Sequence, residues 1–372
     1  MINNAPMVRL GELIEECYLR NSDRKFGIDD VMGMTITKEI IPTKADVKDA
    51  DLSKFLIVEP EQFVYNPRTH GKKIGLGFNN TQKSFLISWN NAVFKVKNTT
   101  KVVPQYLYLI FCRGEWDRNA CFRSWGSSTE VFSWAEFSLM EIPLPSIETQ
   151  RAVVAIYDGL QKTIAENEAL IKEMESVCHA FVVDCKTKYP KVKLGEWIEE
   201  YDVRNSDNKN KKVRSVSVTK EFKETNAKVN KNELSGYKLV PPGYIAYVQT
   251  TKNEKCFANA YNASNETCVV TSVDRVITTR DNEILDVGYL HLFLREKEFD
   301  RYAIFNSWGS AREVFSYDEL CNVLIPLPPI EMQRSIVNIF NCQQESKRIV
   351  EETRELMKNL CPALVQKAAH SA

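Results

Sequence analysis

Hydrophobic and polar positions alternate in short blocks along most of the chain, whereas two long stretches follow a helical period. Short runs of β-branched and aromatic residues, broken by Gly, Pro and Asn, predict strands. Val8–Glu16 predicts a short amphipathic opening turn or helix, and Tyr106–Phe111 fits either a helix or a strand. The predicted strands are Met32–Ile36, Phe55–Val58, Phe63–Tyr65, Phe85–Ser88 and Ala92–Val96, then Val213–Val218, Tyr237–Val240, Tyr244–Val248, Thr267–Thr271 and Asp274–Thr278.

Glu148–Cys185 predicts one long helix, because it contains no proline and its apolar residues fit a heptad. One apolar seam runs through positions 153, 160, 167, 174 and 181, and the other through 156, 163, 170 and 177. A helix of this length reaches roughly 55 Å. A matching stretch near the C-terminus predicts a second long helix, and two such helices most simply pack as an antiparallel pair. Its apolar residues are Ile336, Ile339, Phe340, Val350, Met357, Leu360 and Leu364.

Three short motifs occur twice, which indicates a tandem duplication. Arg20–Asp23 recurs at 204–207, Ser124–Ser127 at 307–310, and Ile142–Pro145 at 325–328. The offsets are 204−20=184, 307−124=183 and 325−142=183, so the two copies stay nearly in step. A duplicated molecule offers two similar surfaces and suits a target with two half-sites, or two copies of a partner.

Together these patterns predict an α+β fold with two similar α/β globular domains that contain mixed sheets. The long helices join the domains, pack as an antiparallel coiled-coil pair and give the chain a pseudo-two-fold internal repeat. The predicted domain boundaries are 1–145 for the first globular domain, 146–187 for the central helix, 188–328 for the second globular domain, and 329–372 for the C-terminal helix.

Composition agrees with a two-domain globular protein of 372 residues, with 44% hydrophobic and 26% charged residues. No apolar run is long enough to cross a bilayer, and no secretory signal opens the chain. The ten cysteines are scattered without a CxxC pair, so we expect reduced thiols and a cytoplasmic location. The formal net charge of zero argues mildly against a general nucleic-acid binder, although local basic runs remain.

Motifs of common catalytic sites are missing from the sequence. Gly71–Gly77 has the wrong order for a phosphate-binding loop, and no GxGxxG opens a helix. The four histidines are far apart in sequence and show no metal-ligand spacing. We therefore expect a non-catalytic chain without a cofactor or metal of its own.

The junction between each globular part and its helix resembles that of a known family. Ile-Pro-Leu-Pro is followed by Ile147–Arg151 at the start of the long helix, and the arrangement recurs at Ile330–Arg334. With the duplication and the total length, this resembles the specificity (S) subunit of type I restriction-modification systems. The resemblance implies two target recognition domains that each read one half of a split DNA site. It implies that the helices are the conserved spacer regions, which set the spacing and bind two methyltransferase (M) subunits.

The resemblance also implies a larger complex. S-adenosylmethionine is expected on the adenine-methylating M subunits, and ATP and Mg²⁺ on the motor-nuclease (R) subunits, not on this chain. Thr149 and Met332 stand where the family commonly has Glu, which is a small departure. We expect Gln150 and Gln333 to satisfy free backbone groups at the helix starts rather than to contact a partner.

Candidate DNA-reading residues are those that can recognise base edges or phosphates from loops. Two polar intervals follow equivalent strands at Tyr65 and Tyr247 and differ in sequence, as expected for readers of different half-sites, although either could be a solvated hairpin loop. A basic run at 209–214 is equally compatible with a solvated loop. The candidates are Arg68, Thr69, His70, Lys72, Lys73, Asn79, Asn80, Lys83, Arg123, Ser127, Lys209, Lys211, Lys212, Arg214, Gln249, Thr250, Thr251, Lys252, Asn253, Ser310 and Arg312.

The duplicated Ser-Trp-Gly-Ser motif is identical in both copies and therefore cannot distinguish two half-sites. We expect a shared turn in which Trp125 and Trp308 pack in the interior, or a phosphate contact through the Gly and Ser groups. Arg118 and Arg301 lie nearby and could add phosphate contacts. Arg20–Asp23 and its copy fit a local turn at least as well as a DNA-binding loop.

Two other functions remain open from the residues alone. A duplicated adaptor whose globular parts bind protein, with a helical spacer, agrees with the zero net charge. A weaker alternative is a remnant of a fused methyltransferase, which would bind S-adenosylmethionine itself.

Overall fold

A computed structural model describes residues 5–70, 73–126, 130–225, 228–230, 232–250, 256–309 and 313–370. The chain forms two compact units. Unit 1 comprises Met1–Ala165 with Val350–Ala372, and unit 2 comprises Glu166–Ile349. No helix in the described ranges is long and apolar enough to cross a membrane.

The described residues of unit 1 form ten short strands, which are β1 (Met7–Arg9), β2 (Ile14–Cys17), β3 (Met32–Met34), β4 (Ile40–Pro42), β5 (Leu56–Val58), β6 (Phe63–His70), β7 (Lys73–Phe78), β8 (Phe85–Ile87), β9 (Ala92–Val96) and β10 (Glu141–Pro143). Four of them form the sheet β2-β9-β6-β7, and the others pair as β1-β10, β3-β4 and β5-β8. Every one of these ladders is antiparallel. An isolated bridge between Val31 and Leu86 is parallel, so parallel pairing contributes only locally to the mixed character expected of the sheets.

The helices of unit 1 are short until the chain leaves the globular part. They are α1 (Leu10–Leu13), α2 (Pro104–Phe111), α3 (Gly114–Phe122) and α4 (Trp134–Leu139), followed by the long α5 (Ile147–Lys188). Of the opening turn or helix predicted at Val8–Glu16, a single helical turn is present, and strands that the sequence pattern did not predict flank it on both sides. Tyr106–Phe111 is helical, with Pro104 at the first turn, where its missing N–H has no consequence.

Unit 2 repeats the order of the strands and of the later helices, with a 3₁₀ turn at Leu194–Glu196 in the place of α1. Its described strands are β11 (Lys191–Lys193), β12 (Ile198–Glu200), β13 (Arg214–Val216), β14 (Phe222–Glu224), β15 (Lys238–Val240), β16 (Ile245–Tyr247), β17 (Asn259–Tyr261), β18 (Cys268–Val270), β19 (Arg275–Thr279) and β20 (Leu324–Pro326). The four-stranded sheet is β12-β19-β16-β17, with the pairs β11-β20, β13-β14 and β15-β18. Helix bounds are α6 (Val287–Leu294), α7 (Lys297–Phe305), α8 (Tyr317–Asn322) and α9 (Ile330–Ala369).

Aromatic side chains from the main sheet and the short helices form the core of unit 1. Tyr65 on β6 stacks on Phe137 of α4 with ring centroids 4.8 Å apart, and Phe111 lies 4.6 Å from Trp116. Full burial of such side chains contributes about 1.5–3 kcal/mol each. Unit 2 places Tyr247 at the position of Tyr65, against Phe257 at 5.0 Å.

The two long helices predicted from the heptads are confirmed, with 42 residues in α5 and 40 in α9. Segments of both helices pack together within each unit. In unit 1, Val153 and Val154 belong to the same apolar cluster as Val365. In unit 2, Val182 shares a cluster with Ile336.

One of the two predicted seams of α5 is not buried. Ile156, Leu170 and Val177 occupy the second seam and are exposed, whereas Ile164, Cys178 and Cys185 are buried instead. The heptad therefore predicted the helix correctly but only part of its buried face. These three apolar side chains of the second seam therefore remain on the surface of α5.

A buried ion pair that the sequence analysis missed recurs in both units. Lys38, in the turn between β3 and β4, donates to the Asp117 carboxylate at 2.6 Å and to the Ile74 carbonyl at 2.5 Å. Lys220 pairs with Asp300 at 2.6 Å in the same way, but its second acceptor is the Leu294 carbonyl of α6, at 2.9 Å. The pair fastens each hairpin turn to the start of α3 or α7.

A buried glutamine at the start of each long helix joins three segments of its unit. Gln150 accepts a hydrogen bond from the Val103 N–H at 2.9 Å and donates to the carbonyls of Lys101 at 3.1 Å and Pro145 at 2.9 Å. Val103 is the N-cap of α2. The side chain therefore satisfies backbone groups, as expected, but mainly those of a neighbouring segment rather than of its own helix.

Gln333 repeats these contacts in unit 2. It accepts from the N–H of Asp286, the N-cap of α6, at 2.9 Å, and it donates to the carbonyls of Ile284 and Pro328 at 2.9 and 2.8 Å. Both glutamines are completely buried, with 0% exposure, and their three contacts occupy both ends of the amide. A partner protein therefore has no access to either side chain in this structure.

Replacing Gln150 with Ala should lower the free energy of unfolding by about 2–4 kcal/mol, because one buried donor and two buried acceptors lose their partner. Urea unfolding followed by circular dichroism measures the change. Gln161→Ala is the matched control: this glutamine is exposed on the same helix, and its removal should change stability by less than about 0.5 kcal/mol. Equal losses of stability in the two variants would contradict the stabilising role of the Gln150 hydrogen bonds.

Lys38→Met should destabilise the protein by about 3–5 kcal/mol, since it leaves the Asp117 carboxylate buried without its cation. Lys95→Met removes an ion pair on the surface of the same unit, where Lys95 and Glu15 lie 3.5 Å apart and are about half exposed. That control should cost no more than about 1 kcal/mol. Thermal and urea unfolding of the two variants compare the buried pair with the exposed one directly.

Candidate nucleic-acid interface

The first polar interval is a β-hairpin rather than the loop expected from sequence. β6 continues to His70, and β7 begins at Lys73. The pairing of the two strands is irregular between Tyr65 and Thr69 of β6. Glycines hid β7 from the sequence pattern, but a Cβ at Gly77 would overlap the Ile40 side chain, so glycine permits the close packing there. Lys72 and the side chain of His70 lie outside what the structure describes.

Arg68 and Lys73 are the exposed cations of this hairpin. Thr69 is half-buried and tied to the following segment: its N–H donates to the Glu130 carbonyl at 3.1 Å, and its hydroxyl donates to the Glu130 carboxylate at 3.2 Å. The Arg68 backbone N–H is held by the Asn66 side chain at 3.0 Å. The hairpin therefore has a fixed backbone that presents basic side chains to solvent.

Asn79 does not present its amide to solvent. It is buried, donates to the carbonyls of Val58 and Lys83, and accepts from the backbone and hydroxyl of Thr81. Asn262 makes the same contacts in unit 2. Both asparagines stabilise a turn, and we leave Asn79 out of the contact surface proposed below. Asn80 and Lys83 are exposed beside it.

The equivalent interval of unit 2 carries different side chains on the same backbone plan. The Gln249 side-chain amide donates to the Val273 carbonyl at 3.2 Å, and the Gln249 backbone carbonyl accepts from the Phe315 N–H at 2.8 Å. Thr250 follows and is exposed. Thr251, Lys252 and Asn253 fall outside the described residues.

The basic run at 209–214 is largely neutralised by carboxylates. Lys209 lies 3.1 Å from the Asp207 carboxylate, and its backbone and side-chain hydrogen bonds hold the pKa of Asp207 below its ordinary value. The hydrogen bond from Lys212, at 2.7 Å, likewise lowers the pKa of Glu266. Arg214 pairs with Glu224 at 3.4 Å, while Lys211 is exposed. Unit 1 has no equivalent run, so this segment is a weaker candidate than the hairpins.

The duplicated Ser-Trp-Gly turn projects its tryptophan outward. Trp125 is 72% exposed and Trp308 67% exposed, so the expected packing in the interior is wrong. The glycine that follows each has a φ of 149° (Gly126) or 139° (Gly309), which other residues rarely adopt. This requirement explains the repeated glycine. Ser127, Ser310 and Arg312 lie beyond the described part of the turn.

Arg123 and the repeated serines have local partners. The Arg123 guanidinium lies 3.3 Å from the Glu136 carboxylate and is only partly exposed. The hydroxyls of Ser124 and Ser307 donate back to the carbonyls of Ala120 and Ala303, at 2.8 and 2.6 Å. These contacts close the end of α3 and of α7.

The Arg20–Asp23 motif forms a local turn in each unit. Asn21 is buried, accepts from the Phe26 N–H at 3.1 Å, and donates to the carbonyls of Phe26 and Leu52. Asn205 makes equivalent contacts with Asn210 and Leu234. The motif therefore has a structural role in both copies.

Backbone bridges bring the hairpin and the tryptophan turn together within each unit. In unit 1, Val131 is bridged to Arg68 on one side and to Trp125 on the other, both antiparallel. In unit 2, Val314 is bridged in the same way to Thr250 and Trp308. Sequence analysis named Arg68 and Trp125 separately and missed both their proximity and the exposed phenylalanines nearby, Phe122 and Phe305.

This arrangement is suited to recognition. Exposed arginine and lysine side chains on a rigid hairpin can donate to base edges and phosphates. Within the described ranges, no group of three or more His, Cys, Asp or Glu residues is placed to hold a metal ion.

Part of the chain is similar to a known protein family. Residues 6–176 match the family described as the type I restriction modification DNA specificity domain. None of the curated protein sequences matches this chain.

Among solved structures, the chain is similar to the S subunit of a type I restriction-modification system from M. genitalium. That match has 12% sequence identity and a TM-score of 0.61, and it covers 98% of this chain and 96% of the other. The HsdS subunit from Thermoanaerobacter tengcongensis also aligns, with 18% identity and a TM-score of 0.42, over 99% of this chain and 97% of the other.

The first match shows that the fold extends over both units, while the family match covers residues 6–176. Both matches agree with the resemblance noted at the helix junctions. Residues 6–176 are similar to the type I restriction modification DNA specificity domain, and the fold of the whole chain is similar to that of a type I S subunit.

Proposed function

We propose that each unit of this protein binds one half of a bipartite DNA site. The observation that carries the proposal is an arrangement of backbone bridges common to both units, which we call the frame. The frame holds Arg68 and Trp125 on either side of Val131 in unit 1, and Thr250 and Trp308 on either side of Val314 in unit 2. The same backbone frame with a different polar side chain is what two readers of different half-sites require.

The contact residues that we propose are the described candidates near these bridges that are at least partly exposed, together with the candidates that lie outside the described residues. In unit 1 they lie on the β6–β7 hairpin and its flanks, and in unit 2 on the segment after β16 and on the run before β13. Asn79 is excluded because it is buried. The set is Arg68, Thr69, His70, Lys72, Lys73, Asn80, Lys83, Arg123 and Ser127, with Lys209, Lys211, Lys212, Arg214, Gln249, Thr250, Thr251, Lys252, Asn253, Ser310 and Arg312.

We further propose a function for each segment of the chain. Segments 1–145 and 188–328 are the target recognition domains, and 146–187 and 329–372 are spacer helices that set the distance between the half-sites. Each long helix contributes one part to unit 1 and the other to unit 2, which supports this role.

The spacer helices would also bind the partner subunits. The exposed apolar residues of α5, Ile156, Leu170 and Val177, support a protein contact there, because isolated helices seldom keep such a line in water. We propose two methyltransferase subunits as partners, with motor-nuclease subunits joining through them. S-adenosylmethionine, ATP and Mg²⁺ would then belong to the partner subunits, and the complex would act in the cytoplasm.

Arg68→Ala should remove the preference for one base pair in one half-site, because a bidentate arginine–base contact contributes about 1–3 kcal/mol of discrimination. The measurement is methylation of a library of randomised duplexes by this chain together with its methyltransferase subunit. Thr250→Ala is the matched variant in unit 2 and should alter only the other half-site. Equal changes in both halves, or unchanged base preferences with altered partner assembly, would favour a protein-binding adaptor.

A further inference from the structure

Three exposed residues recur at identical spacing in both units and have no role in folding. Arg118, Phe122 and Trp125 lie on or just after α3, and Arg301, Phe305 and Trp308 on or just after α7, with every offset equal to 183 (301−118, 305−122, 308−125). Both phenylalanines are 81% exposed. Such side chains gain almost nothing from burial, so the stability of the fold does not require them.

The positions between these residues show what the fold does require. Ala120 and Ala303 are buried, and the serines before each tryptophan bond back to the helix, so their identity has a structural reason. Other intervening residues differ: Asn119 corresponds to Tyr302, and Cys121 to Ile304. Arginine, phenylalanine and tryptophan are thus the same in both copies at positions where the fold would tolerate change.

The bridges place each tryptophan on the same face as the variable reading residue. Directly opposed residues of antiparallel segments project their side chains to one face. Trp125, Val131 and Arg68 form one such row, and Trp308, Val314 and Thr250 form the other. Neighbouring Cα atoms in a row are about 5 Å apart, so Arg68 and Trp125 are separated by about 10 Å, or roughly three base steps of DNA.

We propose that these two patches, Arg118–Phe122–Trp125 and Arg301–Phe305–Trp308, are matching sequence-independent DNA contacts, one beside each half-site. The inference rests on the proposed function. A duplex that reaches Arg68 also covers Trp125, because both lie on one face. Aromatic rings can pack on the sugars of a duplex of any sequence, and the arginine, one helical turn from the phenylalanine, adds a phosphate contact. Identity of the patches follows, since the backbone is the same at both half-sites.

The observations favour DNA over a methyltransferase subunit as the occupant. Arginine and tryptophan are also common in protein interfaces, but here the tryptophan shares a face with Arg68 in unit 1 and with Thr250 in unit 2, the position of the row that differs between the units. A protein partner bound to that face would exclude DNA from Arg68 and Thr250.

The test uses the chain assembled with its methyltransferase subunit and two duplexes of equal length. One duplex carries the sequence obtained by mapping methylated adenines, and the other carries its scrambled version. Phe122→Ala/Trp125→Ala, and separately Phe305→Ala/Trp308→Ala, should weaken binding to both duplexes by about 10- to 100-fold. The ratio of the two affinities should stay unchanged. Arg118→Ala should reduce the slope of log affinity against log salt by about one.

Trp89→Ala is the matched control, because Trp89 is also exposed but stands opposite Ser272 in the second copy. It should leave both affinities unchanged. Urea unfolding midpoints of the patch variants should match the parent chain, since the rings are exposed. Unchanged DNA binding by the patch variants would overturn the inference, as would loss of subunit assembly or loss of discrimination alone. If the parent chain itself fails to distinguish the duplexes, the proposed function fails instead.

Discussion

A single buried amide in each unit connects the reading part of the molecule to its helix. Gln150 and Gln333 each form hydrogen bonds with three places in the backbone. These are a proline just before the long helix, the N-cap of α2 or α6, and the residue two positions before that N-cap. Each hydrogen bond contributes only about 1 kcal/mol, but a buried group left without its partner costs about 1–3 kcal/mol. Losing the glutamine side chain therefore leaves one backbone N–H and two backbone carbonyls without their partner at once.

Other repeated contacts follow the same physical rule. Buried asparagines close the turns at Asn21 and Asn205, and a lysine–aspartate pair anchors each β-hairpin. Burial lowers the pKa of Lys220, and the hydrogen bond with Asp300 opposes that effect. These residues are the same in both units because the frame needs them. Residues that face solvent beside these contacts are free to differ, as the proposed reading of two different half-sites requires.

Much of this fold could be predicted from periodicity and repetition. The apolar period of Glu148–Cys185 predicted α5 to within a few residues, and the repeated motifs predicted two equivalent units. Periodicity could not show which seam of α5 is buried, because that depends on which elements surround the helix. The strand β7 was missed because glycine disfavours strands in general, while here it makes room for a neighbouring side chain.

The candidate site was harder to predict. Asn79 has the chemistry of an adenine reader, yet it is buried by its own turn. Trp125 has the chemistry of a core residue, yet its side chain is 72% exposed. Side-chain chemistry could only nominate candidate residues, because backbone bridges between distant segments decide which of them share a surface.

The central claim is that two equivalent units read two separate half-sites. Single-molecule mapping of methylated adenines in the source genome, compared with a strain lacking this chain, tests it most directly. The account predicts a methylated motif in two specified parts, separated by a gap of fixed length and unspecified sequence, that disappears with the chain. A continuous motif, or a methylation pattern that does not depend on this chain, would contradict it.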